Sequence, residues 1–224
     1  MQPKTEVGMN HSGMQAAPDA GEKMLENIKL TKPRRGDERD LAKIRTEYAR
    51  EADPVGTLPD PAASGLNALL MDKLGARLAF ERAGARLYDA LMAKCEAERS
   101  SGVPLGELRH IRDEEATHFA LVGAAIQSLG GDPTAQTPEA DVTGVENMGL
   151  MQVLTDPKTT VAQALHAILV AEMTDNAAWE ELIELTTRAG NDELVARFIK
   201  AHEAEIEHLE KVRGWYREAT QARA

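Results

Sequence analysis

Residues 111–119 read IRDEEATHF, and residues 201–209 read AHEAEIEHL. Both segments contain the pattern Glu-x-x-His, which begins at Glu115 in the first and at Glu205 in the second. Residues three apart project from the same face of an α-helix, so each pair can bind one metal ion. Apolar residues at helical spacing surround both pairs, which directs them toward a helical core. The two segments therefore predict helices that carry a buried site.

The rest of the chain predicts an all-α fold, an antiparallel four-helix bundle with one long crossover. Apolar residues recur at helical spacing in four stretches, and glycine, proline and capping residues separate them. We expect helices at Leu66–Glu98, at Leu105–Leu129, from about Thr160 to a turn at Ala189, and at Glu193–Glu218. The connection from Asp132 to Lys158 should hold a short helix near Val145–Leu154. The order is hairpin, crossover, hairpin.

The two predicted hairpins repeat each other at an offset of about 90 residues. Glu81 precedes the first Glu-x-x-His by 34 residues, and Glu172 precedes the second by 33. An aromatic residue follows each lone glutamate seven positions later, Tyr88 in one half and Trp179 in the other. Two amphipathic hairpins that are similar by chance would not repeat their charged positions. We therefore interpret the pattern as a duplicated hairpin that carries chemistry.

The charged residues of the repeat suit a pair of metal ions. A lone glutamate on a helix is usually solvated, and a lone histidine is usually a packing or surface residue. Four glutamates and two histidines inside one bundle would be costly unless metal neutralised them. Carboxylate and imidazole ligands suit iron or manganese better than zinc. We predict bridging roles for Glu115 and Glu205, and one ion completed by each of the pairs Glu81 with His118 and Glu172 with His208.

Three further residues near the pattern are candidates for a role. Tyr88 is the candidate catalytic residue, because its hydroxyl could bond a ligating carboxylate or donate an electron; the alternative is an ordinary core tyrosine. Asp175 lies one turn after Glu172 and is a candidate for an extra ligand or a gate for metal access. We expect Cys95 to be a packing residue of the core.

Another Glu-x-x-His in the chain fails the repeat. Glu107 and His110 have this spacing, but Arg197 and Lys200 stand 90 residues later. We therefore interpret Glu107 and His110 as a surface pair near a helix start. The remaining histidines, His11, His166 and His202, also fall outside the doubled pattern.

Composition excludes several classes of function. The chain has 224 residues and a formal net charge of −11, so a nucleic-acid partner is not expected. Its one cysteine cannot form an internal disulfide or an iron–sulfur centre. The sequence shows no signal peptide and no apolar run of about 18 residues. We expect a cytoplasmic location and no membrane partner.

Residues 1–64 differ from the bundle, which we expect at residues 65–224. Six of the ten prolines lie in this N-terminal arm. The arm should be partly extended, with short helices at Gly21–Leu30 and Arg39–Glu51. It would either wrap a neighbouring subunit or form a partly ordered tail.

The doubled pattern, together with Tyr88, resembles the ferritin-like di-iron carboxylate superfamily, and rubrerythrin and bacterioferritin in particular. The resemblance covers about residues 66–218. It implies a bundle that binds two Fe ions, with Mn possible, and reacts with dioxygen or hydrogen peroxide as a ferroxidase or peroxidase. It also implies a metal-ligand role for each member of the predicted set, Glu81, Glu115, His118, Glu172, Glu205 and His208.

Two departures from rubrerythrin stand out, since a cysteine-rich domain is not visible and Trp179 replaces a second tyrosine. We expect a homodimer or larger homo-oligomer. The alternatives are an iron-binding or storage protein in an oligomeric shell, and a helical interaction protein without metal. The physiological oxidant and the electron donor are left open by the pattern.

Overall fold

The computed structural model describes residues 8–9, 15–16, 43, 65–98 and 102–222. The chain divides into two units, Met1–Pro54 and Val55–Ala224. In the first unit, strands β1 (Gly8–Met9) and β2 (Gln15–Ala16) pair antiparallel, with Gly8 opposite Ala16. The two short helices predicted for the arm lie outside the described residues, apart from Lys43, which is helical.

The second unit contains five helices in its described residues. They are α1 (Leu66–Glu98), α2 (Leu105–Ser128), α3 (Pro138–Thr155), α4 (Val161–Arg188) and α5 (Asp192–Gln221). Helix α1 packs on α2, α4 packs on α5, and the two hairpins meet mainly through α1 and α4. This confirms the predicted all-α bundle with one crossover. Among the described helices, none combines the length and apolar character that crossing a membrane requires.

Local signals explain why the bundle helices begin and end where they do. Thr160 caps α4 in a capping box with Gln163, and the Asn191 side chain accepts a hydrogen bond from the Leu194 amide at the start of α5. Gly130 and Gly190 follow α2 and α4 with φ of +80° and +74°, a conformation that favours glycine. These residue types are the ones from which the boundaries were predicted.

The crossover helix is longer than predicted. The sequence suggested a helix near Val145–Leu154, whereas α3 runs over Pro138–Thr155. Its start has its own signals, because Thr137 accepts a hydrogen bond from the Ala140 amide and Pro138 occupies the first turn, where proline is tolerated. The short prediction was wrong because packing on α1 stabilises a helix that includes Gly144 and Gly149.

Helix α3 is attached to α1 at both ends. At its start, the Asp72 carboxylate accepts from the Glu139 amide at 3.0 Å, and the Thr137 hydroxyl donates to the Asp72 carbonyl at 3.3 Å. At its other end, the Lys94 ammonium donates to the carbonyls of Asp156 and Thr159 at 2.8 and 2.9 Å. The crossover helix is therefore held against α1 at both of its ends.

A layer of buried charge divides the apolar core of the bundle into two clusters. One cluster includes Leu87, Leu91, Ile111, Leu165 and Val212. The other includes Leu74, Val122, Trp179, Leu182 and Phe198. Each of the helices α1, α2, α4 and α5 contributes to both clusters and carries buried ionisable residues between its two contributions. Burial of apolar surface on both sides supplies the stability that this layer costs.

The close approach of α3 to α1 gives a test of the fold. A Cβ added at Gly75 would overlap the Thr137 side chain, whereas Gly149 of α3 has open space around it. Because a shifted Thr137 would no longer cap α3, we expect Gly75→Ala to destabilise the protein by about 1–2 kcal/mol. Gly149→Ala should stabilise it by up to about 1 kcal/mol through helix propensity. Urea unfolding followed by circular dichroism measures both; stabilisation by Gly75→Ala would contradict the docking of α3.

Candidate metal centre

The structure brings all six predicted ligands into the charged layer. Their exposed fractions run from 0 to 6%, so none is a solvated surface group. On α2, α4 and α5 the ligands lie between the two apolar segments of the helix, and on α1 Glu81 directly follows Phe80 of the first cluster. The set is Glu81 on α1, Glu115 and His118 on α2, Glu172 on α4, and Glu205 and His208 on α5.

These residues form two groups, and within each group the ligand atoms all lie within 4.8 Å of one another. The first group is Glu81, His118 and Glu205, and the second is Glu115, Glu172, Glu205 and His208. Glu205 belongs to both, with Oε1 2.5 Å from His118 Nδ1 and Oε2 2.9 Å from His208 Nδ1. Its carboxylate therefore lies between the two histidines and connects the two groups. Glu115 belongs to the second group alone.

Glu115 nevertheless reaches toward the helix that carries Glu81. A Cβ added at Gly84 on α1 would overlap the Glu115 carboxylate, so this glycine leaves the space into which the carboxylate extends. Its Oε1 lies 3.6 Å from His208 Nδ1, and its Oε2 is buried without a hydrogen bond. One carboxylate oxygen thus faces the second group, and the other lies against α1.

The donor atoms of the site fit metal cations. Several buried ligand atoms make no hydrogen bond of acceptable geometry, namely both carboxylate oxygens of Glu81, Oε2 of Glu115 and Glu172, Oε1 of Glu205, and Nδ1 of His118. Some of these atoms form ion pairs, Glu81 Oε1 with Arg77 and Glu205 Oε1 with His118. Buried polar atoms normally make hydrogen bonds, and atoms that converge without them suit a metal ion. Five buried carboxylates, counting Asp175, and the buried Arg77 leave four negative charges. Two divalent ions would balance that charge if both histidines were neutral.

Burial strongly perturbs the acids and bases of the layer. It raises the pKa of Glu81, Glu172 and Glu205 well above the usual range of a glutamate. It lowers the pKa of His118 to about 4. Burial also opposes a charge on His208, but contacts with nearby carboxylates, chiefly Glu115, raise its pKa to about 9. The metal-free site therefore holds protons that a metal ion would displace.

Arg77 is the main residue of the site that sequence reasoning missed. Its side chain is 2% exposed, and its Nε lies 3.0 Å from Oε1 of Glu81. The guanidinium also pairs with the carboxylate of Asp175 and donates to the Asp175 carbonyl at 3.2 Å. It stacks on Phe80, 4.3 Å from the ring centroid. The available signal was its spacing, four residues before Glu81 on the same helix face.

Two other polar residues support the ligands from outside the predicted set. The half-buried Glu114 places Oε2 2.9 Å from Nε2 of His208, which leaves Nδ1 of that ring toward the site. The Asn176 amide donates to the carbonyls of Glu172 and Glu205, each at 3.0 Å. Helix periodicity places both beside the predicted ligands, but it does not distinguish them from solvated or packing residues.

The two aromatic residues of the repeat each contact a ligand from the other hairpin. Tyr88 on α1 donates its hydroxyl to Oε1 of Glu172 on α4. Trp179 on α4 packs edge-on against His118 of α2, with ring centroids 5.8 Å apart. Tyr88 therefore holds one oxygen of Glu172 and leaves Oε2 for another partner.

The remaining sequence candidates lie outside both ligand groups. Asp175 is buried beside Arg77, and Cys95 packs in the apolar core. Glu107 is exposed and pairs with Lys211 at 3.0 Å, and His110 is exposed as well, as expected of a surface pair. His166 is exposed against Tyr216, and the half-buried His202 lies 3.9 Å from Glu180.

Comparisons with known proteins agree with this architecture. The sequence model of a family described as a ferritin-like domain matches residues 71–221. The chain is also similar to a solved structure of a ferritin-like, diiron-carboxylate protein from Bacillus anthracis str. Ames, with a TM-score of 0.52 and 18% sequence identity. That similarity covers 69% of this chain and 99% of the other, and at this identity it shows the fold. Among curated proteins the chain has no match.

The pKa shifts predict how the stability of the metal-free protein depends on pH. The raised pKa values of Glu81, Glu172 and Glu205 contribute stability that is present below about pH 4.5 and is lost as the pH rises. The raised pKa of His208 contributes stability present below pH 6.5 and lost on approach to about 9. His118, with its pKa of about 4, contributes stability above pH 6.5 that is lost as the pH falls toward 4.

Above pH 6.5 the titration of these groups therefore only lowers the stability of the metal-free protein as the pH rises. We expect the melting temperature of the chelator-treated protein to fall between pH 6.5 and 9, measured by calorimetry. His208→Gln should make that decline shallower, since it removes one of the titrating groups. A melting temperature that rises over this window would contradict the proton balance of the layer.

Proposed function

The chain belongs to the ferritin-like domain family, and on that premise we propose that it is a di-iron carboxylate protein that oxidises ferrous iron with dioxygen or hydrogen peroxide. The observation that carries the proposal is the sharing of Glu205 by two buried ligand groups. A site of this kind holds two ions close together and away from bulk water. Hard carboxylate and imidazole donors suit iron, with manganese as the nearest alternative.

The ligand roles follow from the contacts of the side chains. Glu205 is the proposed bridge, since its two oxygens face different histidines. Glu115 is the proposed second bridge, because Oε1 faces His208 and its carboxylate extends over Gly84 toward α1. Each of the two ions is completed by a lone glutamate and a histidine, Glu81 with His118 and Glu172 with His208.

Two bound ferrous ions would supply two electrons, enough with two protons to reduce peroxide to two waters or dioxygen to peroxide. The protein's part is to position the donors and to manage protons. All four glutamates of the layer have a raised pKa and would release protons on binding metal, because a carboxylate coordinates in its ionised form. The apolar clusters on both sides keep bulk water from the layer.

Removal of the shared carboxylate should abolish paired binding. We expect Glu205→Gln to lose at least one of two bound Fe(II) ions and to lose the near-ultraviolet ferric band that appears when oxidant is added. Glu107→Gln is the matched control, because Glu107 has the same Glu-x-x-His spacing on an exposed site. Anaerobic loading, metal analysis and absorption spectroscopy measure both. A wild-type protein that binds no iron and consumes no peroxide would refute the proposal.

Tyr88 is the proposed positioning residue for Glu172. Tyr88→Phe removes the hydroxyl that holds Oε1 of this carboxylate, so we expect two ions to bind and the rate of ferric band formation to fall by about 10-fold or more. Tyr216→Phe is the control, since that half-buried tyrosine contacts His166 rather than the charged layer. Stopped-flow absorption compares the rates; equal rates in Tyr88→Phe and the wild type would remove Tyr88 from the mechanism.

A further inference from the structure

The two ligand groups have different electrostatic surroundings. Arg77 lies beside the first group, with Nε 3.0 Å from Oε1 of Glu81. The corresponding position in the second hairpin, 91 residues later, holds Ile168, which is buried among apolar residues. One half of the duplicated site therefore has a fixed positive charge where the other half has a hydrocarbon side chain.

The guanidinium is held in place by a residue that also breaks the repeat. Asp175 pairs with Arg77 through its carboxylate and accepts from it through its carbonyl at 3.2 Å. The position that corresponds to Asp175 in the first hairpin is Gly84. Arg77 and Asp175 thus form a buried pair through contacts that do not involve Glu81.

Other differences between the groups favour tighter metal binding at the second group. It has three carboxylates with His208, while the first has two carboxylates with His118. Glu114 accepts from or shares a proton with Nε2 of His208 at 2.9 Å, and such a contact strengthens a histidine ligand. The position that corresponds to Glu114 in the second hairpin is Ala204. Glu115, the second proposed bridge, lies within the second group and outside the first. This greater distance and the nearby cation both weaken the attraction of a metal ion to the first group.

We propose that Arg77 competes with metal for Glu81, so that the ion at Glu81, His118 and Glu205 binds weakly and exchanges while the ion at Glu115, Glu172, Glu205 and His208 is retained. This inference rests on the proposed two-metal function. Arg77 is then a residue that decides affinity at one position without being a ligand. The protein holds one resident ion and one exchangeable ion.

A cavity beside Arg77 is the proposed route for the exchangeable ion. A cavity of about 150 Å³ reaches Arg77 from the side where α1, α3 and α4 meet. Its lining includes Glu139, Glu146 and Glu181, and Lys73 pairs with the first and last of these at 3.6 and 3.4 Å. Its three carboxylates outnumber its two cationic groups, the Lys73 ammonium and the Arg77 guanidinium, so the lining has a negative balance that attracts cations. The first group is thus the one next to this cavity, with Arg77 between the cavity and Glu81.

The test measures Co(II) binding to the metal-free full-length protein under anaerobic conditions, by calorimetry and by visible absorption. We expect two steps, with the second weaker by about tenfold or more. Glu81→Gln should abolish the weaker step and keep the tighter one, and Glu172→Gln should weaken the tighter one. Arg77→Gln should tighten the weaker step by about tenfold, whereas Arg77→Lys, which keeps the charge, should leave it weak.

Two further variants make the result specific to Arg77. Arg112→Gln removes another arginine with two carboxylate partners, Asp89 and Asp113, from an exposed site and should change neither step. Arg77→Gln/Asp175→Asn removes the buried pair without leaving Asp175 charged, and it should also tighten the weaker step. Circular dichroism confirms that each variant is folded.

The outcomes separate this inference from the proposed function. Two equal steps in the wild type, or a weaker step that neither Arg77→Gln nor the double variant changes, would overturn the competition and leave two-metal binding intact. Loss of the tighter step in Glu81→Gln would overturn the assignment of the weaker position. Absence of any Co(II) binding in the wild type would overturn the proposed function itself.

Discussion

Mutual repulsion among carboxylates buried at one level of a bundle is the constraint on which this structure depends. Glutamates from four different helices converge there, and burial shifts their pKa values upward. Unpaired buried charge is among the costliest features that a fold can contain. The surroundings meet this cost with apolar clusters on both sides, with Arg77 against Glu81, and with Tyr88 against Glu172. The layer is thereby prepared for cations.

Much of this arrangement was predictable because helical periodicity and a repeated charge pattern report on the same residues. Every ligand predicted from the repeat is buried in the layer, and α1 has the predicted bounds. The role of Arg77 was not predictable, because an arginine among apolar residues of a helix usually extends to solvent. Only the approach of Asp175 from another helix shows why this one is buried. The start of α3 was missed because its two internal glycines disfavour a helix that is stabilised here by packing on α1.

The two hairpins carry the same types of ligand residue, but the residues that surround the ligands differ. Tyr88 and Trp179 occupy matching positions, yet one donates a hydrogen bond to a carboxylate and the other packs on an imidazole. Gly84 makes room for Glu115, while Asp175 at the matching position holds Arg77. Two similar hairpins have thus acquired different chemical neighbours around one shared carboxylate, Glu205. A pair of ions in this site would differ in environment even with similar ligands.

The attachment of α3 at both ends has a consequence for the evolution of the chain. Asp72 fixes its beginning and Lys94 fixes the residues that follow its end, so the crossover has a set length between two points on α1. An ordinary surface loop tolerates insertions and deletions, but one residue added to a helix turns everything after it by about 100°. Descendants of this sequence should therefore vary α3 by substitution and place their insertions elsewhere.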